Sequence, residues 1–370
     1  MIREIYLDFI REKIARKDLG WLMKRSCQYL LTCISSRIGR PLCGPILGTF
    51  VTNYSCNYHC KMCDLPLKGD QIKKSGLKEL STVELKRLLK DFTQIGVSGI
   101  GFTGGEPLLR SDIFELLAYA KSLRVITHLN TNGFLMDDKN TEAILKSGVD
   151  SISISLDGAT SQTHDKIRGY PGAFDRVVTA INTLNLMRGR NKHHIRLKVA
   201  AVINEENIDE VEGLVKLSAD LKTDCLEFIP QQHFSGSGPP KNNLPSEEFL
   251  GKINKAVDYL LQHRNNGIKI ENSVKHLKIF ERSFRNLKSP LACYAGYNSC
   301  ALDCYGQIYP CVPWVNWGKA VGNIRNMPLK EFWHSRSYAS TRKEIAQCRD
   351  CYLNCQSEIN ILFNPAGLLN

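Results

Sequence analysis

Between Ile46 and Ile229 the sequence alternates short apolar, β-branched runs with helix-forming segments, and this constrains the fold more than any other feature. After the run Gly48–Thr52, a capping box at Ser81-Thr82-Val83-Glu84 opens a helix that runs to about Ile95 and is closed by Gly96. Strands follow at Val97–Phe102, Val125–Leu129, Ser151–Leu156, Ile195–Ile203 and Cys225–Ile229. Helices are expected between them at Asp112–Ser122, Asp138–Ser147, about Ala173–Met187 and Asn207–Ala219. Six β/α units in a row predict an α/β chain, a partial (β/α)6 TIM-like barrel with a parallel sheet and its helices outside. Its ligand site belongs at the carboxyl ends of the strands.

The second constraint is the 14 cysteines. No apolar run approaches the roughly 18 residues of a membrane span, and the charged start MIREIYLDFIREK lacks a signal peptide's apolar core. A cytoplasmic chain is therefore expected, with thiols serving as ligands or packing groups rather than disulfides. Cys27, Cys33, Cys43 and Cys225 sit singly among apolar residues and read as packing groups. The other ten cluster. Cys56, Cys60 and Cys63 have spacings x3 and x2 in one loop, a set that leaves one iron of a cubane open, whereas a structural zinc or an electron-transfer cluster uses four ligands. Seven more cysteines fall between Cys293 and Cys355, in a 78-residue segment with little periodicity where a metal would replace the missing core.

Four regions are expected: an extension over 1–46, the barrel over 47–240 with a loop at Pro230–Asn243, a helical linker over 241–292, and a cysteine-rich domain over 293–370. The extension carries nine basic against four acidic residues, with Trp21, Leu22, Leu30, Leu31 and Ile34 at helical spacing. It reads as a helix covering the edge of the main domain, or as a basic amphipathic helix lying peripherally on an anionic membrane. The chain's net charge of +12 is dispersed, with no Lys/Arg run longer than two, so nucleic acid is not an expected partner.

These motifs resemble the radical S-adenosylmethionine (radical SAM) enzymes that carry a C-terminal SPASM or twitch extension. Cys56-x3-Cys60-x2-Cys63 after the first strand and Gly104-Gly105-Glu106-Pro107 after the second are similar to that family's cluster loop and GGEP motif. The resemblance implies that the three thiols hold a 4Fe-4S cluster whose open iron binds S-adenosylmethionine. Residues Gly104, Gly105, Glu106 and Pro107 would line the cofactor, the glycines allowing close backbone approach. Ser155 and Arg168 are the candidates for its carboxylate, an Arg offering a bidentate fork, and Asn132 for the ribose or adenine. Met62 departs from the aromatic residue common before the third cysteine.

The resemblance also implies an auxiliary 4Fe-4S cluster. Its candidate ligands are Cys293, Cys311, Cys348 and Cys351, with Cys355, Cys300 or Cys304 able to substitute for one of them. Because no cysteine follows Cys355, one auxiliary cluster is expected rather than two. On spacing alone a zinc ribbon remains open. The expected activity is reductive cleavage of S-adenosylmethionine to a 5′-deoxyadenosyl radical that abstracts hydrogen from a substrate C–H bond, with electrons from a flavodoxin- or ferredoxin-type donor. A small metabolite or a membrane-proximal lipid is favoured as substrate, and a peptide is the alternative, since the extension is too short for a peptide-recognition domain. A non-catalytic iron–sulfur carrier or a zinc protein would have no use for a three-cysteine site.

Overall fold

The computed structural model describes residues 10–11, 14–15, 17–190, 195–232, 245–264 and 266–364. Most of the loop expected at Pro230–Asn243 lies outside them. Among the described residues ten strands form one sheet in the order β10-β9-β8-β1-β2-β3-β4-β5-β6-β7. They are β1 Leu47–Val51, β2 Gly99–Thr103, β3 Ile126–Thr131, β4 Ser151–Ser155, β5 Arg196–Ile203, β6 Cys225–Pro230, β7 Lys269–Ile270, β8 Ser299–Asp303, β9 Gln307–Tyr309 and β10 Gly322–Asn323. From β8 through β7 every neighbouring pair is parallel, and β9 runs antiparallel to β8 and β10. The six strands expected from sequence are β1–β6, in order. The sheet is continuous across residue 293, because β8 pairs with β1.

Parallel neighbours need crossover connections, and helices supply them at Thr82–Ile95, Ile113–Ser122, Asp138–Ser147, Ala173–Arg188 and Val211–Asp220. The capping box forms as expected, Ser81 and Glu84 each satisfying the other's backbone, and Gly96 closes that helix at φ +112°. Asn207–Ala219 is divided instead into a single 3-10 turn at Ile208–Glu210 and a helix from Val211. The Asn207 side chain bonds Asn204 N and the carbonyls of Asp157 and Val202, which fixes a turn there. Alternate strand residues, among them Phe50, Phe102, Leu129, Ile152, Leu197 and Phe228, pack with the helices in one core.

The intervening residues face the other side of the sheet. Following the register around the barrel, Asp303, Val51, Thr103, Asn130, Ser153 and Lys198 occupy one row. The concave face is therefore largely polar. The C-terminal helix Asn354–Phe363 bridges its two sides. Asn354 donates to the Phe228 carbonyl on β6 (2.9 Å), Glu358 accepts from Ser273 N just after β7 (2.7 Å), and Gln356 accepts from the Ser299 hydroxyl on β8 (2.8 Å).

The extension folds as a helix, Leu19–Ile38, capped by Asp18 and ended by Gly39 in the left-handed region. It is fastened to the body by polar contacts. Gln28 Nε2 donates to the carbonyls of Gly44, Pro45 and Gly96, and the Tyr29 hydroxyl donates to Leu362 O (2.6 Å). Among the described residues no helix is long and apolar enough to cross a membrane.

Candidate functional site

The loop after β1 is held at its base by the segment after β2. Thr52 N donates to Thr103 O (2.7 Å), Gly105 N to Asn53 O (2.9 Å) and Glu106 N to Ser55 O (2.8 Å). This explains both glycines. A Cβ on Gly104, whose φ is +142°, would lie 2.4 Å from Asn53 O, and one on Gly105 would lie 2.0 Å from Ser55 O. Both glycines thus make a close approach to the backbone of the cysteine loop. Gly169 repeats the device from a third side: its Cβ would meet His59 O at 2.5 Å, and Lys61 N donates to Ile167 O. The three-cysteine loop is consequently clamped from β2 and from the helix Ser161–Arg168.

Glu106 is fully buried and turns inward. Its carboxylate accepts from Leu108 N (3.0 Å), the Thr131 hydroxyl (2.8 Å) and Asn132 N (2.8 Å). Burial raises its pKa, and these donors oppose the rise. So held, Asn132 points its amide at Asn57 Oδ1 (2.8 Å), with Cys56 Sγ at 3.9 Å. Asn132 is thereby a positioning residue for the loop. Glu106→Gln should replace an acceptor by an amide facing the Asn132 N–H, costing about 1–3 kcal/mol while iron content is retained. Urea unfolding against an iron assay checks this, and an unchanged midpoint would contradict it.

Arg168 ends its helix inside the site. Its guanidinium pairs with the buried Asp157 carboxylate at 2.7 Å and reaches Cys60 Sγ at 3.8 Å. Burial works against its charge, but Asp157 and Cys60 outweigh it and raise its pKa. Asp157 in turn accepts from Val202 N (2.7 Å), so β4, β5 and that helix meet at one ion pair. Ser155 sits half-buried at the end of β4, and Pro107 opens a buried 3-10 turn behind Glu106. Sequence reasoning missed Asp157 as a partner for Arg168. It also missed the wall of Tyr58, Phe134 and Tyr170, whose ring centroids lie 5.2–5.7 Å apart. The only signal was aromatic character at three distant positions, which does not report contact.

Burial pushes the Cys56 thiol up to about 11 and raises Cys63 as well. Beside them Asn57 Nδ2, Tyr58 Oη and Arg168 Nε are buried polar atoms with no hydrogen-bond partner among the described residues. Three thiols, a clamped loop and orphaned donors fit a cluster that keeps one iron open for a polar cofactor.

In the C-terminal part, Cys293 feels Cys348, Cys311 feels Cys293, Cys351 and Cys348, and Cys351 feels Cys355, Cys293 and Cys348, each behind a larger rise from burial. These four are neighbours across 58 residues of sequence. Cys355, pushed up to about 11 by burial, is near Cys351 and Glu227 of β6. Cys300 sits by Arg342 and Cys304 by Asp303 and Glu79. Among the described residues no three Cys, His, Asp or Glu side chains converge tightly enough for a single ion.

Comparison with known proteins matches residues 50–218 to the radical SAM superfamily and residues 293–352 to SPASM, an iron–sulfur cluster-binding domain. The chain belongs to the radical SAM superfamily. Radical SAM and SPASM proteins bind 4Fe-4S clusters and S-adenosylmethionine, so those are this protein's cofactors. This radical SAM chain is 26% identical over 318 residues, 81% of its length and 76% of the relative's, to the AdoMet-dependent heme synthase of Oleidesulfovibrio alaskensis. It is 25% identical over 310 residues, 80% of each protein, to the PqqA peptide cyclase of Gluconobacter oxydans. In fold it resembles Streptococcus suis SuiB bound to the precursor peptide SuiA, with TM-score 0.64 and 18% identity over 92% of this chain and 80% of that one. It also resembles anSMEcpe with bound AdoMet and a peptide, with TM-score 0.61 and 18% identity over 88% of this chain and 98% of that one.

Proposed function

We propose that Cys56, Cys60 and Cys63 hold the S-adenosylmethionine-binding 4Fe-4S cluster and that the barrel presents a substrate C–H bond to it. When bound, that cluster supplies one electron that splits S-adenosylmethionine into methionine and the hydrogen-abstracting 5′-deoxyadenosyl radical. The observation that carries the reading is the meeting of the clamped cysteine loop, Asn132 and Arg168 at the carboxyl ends of β1, β3 and β4. Within it, Arg168 offers the site's buried cation to thiolates and to a cofactor carboxylate. Asp157 and Glu106 hold Arg168 and Asn132 in place. Ser155 contributes a hydroxyl at the rim, and Tyr58, Phe134 and Tyr170 keep water from the loop's flank.

A single auxiliary 4Fe-4S cluster belongs to Cys293, Cys311, Cys348 and Cys351, on which the thiol neighbourhood supports the reading. The polar row Asn130, Ser153 and Lys198 on the concave face suits a polar substrate and disfavours a hydrocarbon chain, so a small polar metabolite is the first reading. A peptide is the second, favoured by the relatives and neighbours named for peptides. A flavodoxin- or ferredoxin-type protein would supply electrons.

Anaerobic reconstitution tests this. About eight irons per chain and 5′-deoxyadenosine formed from S-adenosylmethionine and dithionite are expected. No 5′-deoxyadenosine would sink the reading, and about twelve irons would overturn the single auxiliary cluster. Candidate metabolites and peptides are then ranked by how far each accelerates 5′-deoxyadenosine formation above the uncoupled rate.

A further inference from the structure

The helix Leu19–Ile38 is mounted opposite to the usual sense of a surface helix. Its buried residues are Gln28, Thr32 and Ser35, all polar, while Leu19, Met23, Leu30, Ile34 and Ile38 are 44–68% exposed. At 3.6 residues per turn those five fall within about 100° of the helix circumference, facing away from Gln28 and Thr32. The arrangement is not loose. Gln28 donates to three carbonyls of the body, Thr32 and Ser35 bond within the helix, and Ser35 Oγ also accepts from Leu42 N. The body therefore takes the polar face, and an apolar stripe roughly 30 Å long is left outward.

Charge says what covers it. Exposed Lys24, Arg37 and Arg40 border the stripe, and exposed Lys17 precedes the helix. From residue 19 through residue 63 the sequence contains no Asp or Glu. A second copy of the chain meeting this face across a two-fold axis would bring these cations against themselves, with Asp18, which already accepts from Trp21 N, as the one acid at the helix's start. An anionic bilayer satisfies both halves, apolar residues entering the acyl boundary and cations meeting headgroup phosphates.

We infer that the helix Leu19–Ile38 is a peripheral docking surface for anionic phospholipid membranes. The dock also fixes an orientation. Gly44, Pro45 and Gly96, which the helix grips, precede β1 and β2, so the helix lies at the amino ends of the strands, opposite the cysteine loop. The site's mouth then faces away from the lipid, and substrate reaches it from the aqueous side. This inference is independent of the reaction proposed above.

Flotation of the reconstituted full chain with vesicles of phosphatidylglycerol and phosphatidylcholine, against phosphatidylcholine alone, tests it. Binding only to the anionic vesicles is expected. The pair Leu30→Ser and Ile34→Ser, and separately the pair Lys24→Gln and Arg37→Gln, should each lower the bound fraction roughly tenfold or more. Iron content and circular dichroism confirm folding; should the apolar pair misfold, the charge pair, whose side chains are exposed, decides alone. Failure of the wild type to float with anionic vesicles overturns the inference, as does equal binding to neutral vesicles or undiminished binding by the charge pair. A dimer or a protein complex that Leu30→Ser and Ile34→Ser dissolve, with no vesicle binding, would assign the stripe to a protein partner instead.

Discussion

Alanine at Gly105 is expected to cost the protein as much of its S-adenosylmethionine-cleaving activity as removing Cys56, Cys60 and Cys63 together. The added Cβ would lie 2.0 Å from Ser55 O, 2.5 Å from Ser55 C and 3.0 Å from Tyr54 C. All three are backbone atoms, so no rotamer change relieves the clash, and one strand of the clamp must move. What moves is the start of the cysteine loop, because Gly105 N and Glu106 N bond to Asn53 O and Ser55 O on either side of the collision. A displaced Ser55 takes Cys56 with it. The variant should hold the auxiliary iron, about four per chain, lose the other four, and form no 5′-deoxyadenosine above background. Gly172→Ala is the control: its Cβ meets nothing within 4 Å, although its φ of +81° adds some backbone strain. Gly105→Ala with full iron and normal cleavage would mean that the clamp does not hold the loop.

That the glycines matter was legible in the sequence, but the atoms they make room for were not. A Gly-Gly pair reports a close backbone approach without naming the approaching chain, and here it is the neighbouring loop. Local signals transferred well: the Ser81–Glu84 box and Gly96 bound their helix as read, and Asp138–Ser147 forms at the expected residues. Contacts between distant residues did not transfer. Nothing local in Ser299–Asp303 says that it will pair in parallel with Leu47–Val51 and join the barrel's sheet. The Arg168–Asp157 pair escaped for a similar reason, since nothing in the sequence around either residue names the other. Spacing grouped the late cysteines, and the structure sorts them by neighbourhood, leaving Cys300 and Cys304 beside other partners. In the extension, apolar spacing correctly foretold a helix, but the sequence could not say which face meets the body. The structure turns Leu30 and Ile34 outward because Gln28 finds three carbonyls inward.

Lys198→Met should give the largest loss of stability of any single change on the barrel's concave face, roughly 3–5 kcal/mol. Lys198 is buried on β5, with Glu227 of β6 at 2.6 Å and Glu271 at 3.2 Å. Burial alone would lower the lysine's pKa, but the two carboxylates raise it, and the ammonium in turn holds Glu227 below the ordinary carboxylate range against its own burial. Methionine fills nearly the same volume and removes the charge, so the deficit measures the loss of Lys198's share in balancing Glu227 and Glu271, the latter keeping Arg196 at 3.0 Å, rather than a cavity. The pH dependence identifies the cause. With Lys198 present, the depressed Glu227 pKa contributes stability above the unfolded carboxylate's pKa, lost as pH falls towards it. Without the ammonium, Glu227 loses the largest of the influences that hold it down, and its pKa rises. The stability that the depression contributed is then missing from the variant above the unfolded carboxylate's pKa, and the wild type itself loses it as pH falls below that value. The gap in urea midpoint between the two proteins should therefore be narrower at about pH 3 than at about pH 7. A gap independent of pH would assign the loss to packing. Because Lys198 lies in the row of Asn130 and Ser153 rather than in the cysteine loop's clamp, uncoupled 5′-deoxyadenosine formation should survive in the folded variant while turnover of a polar substrate falls.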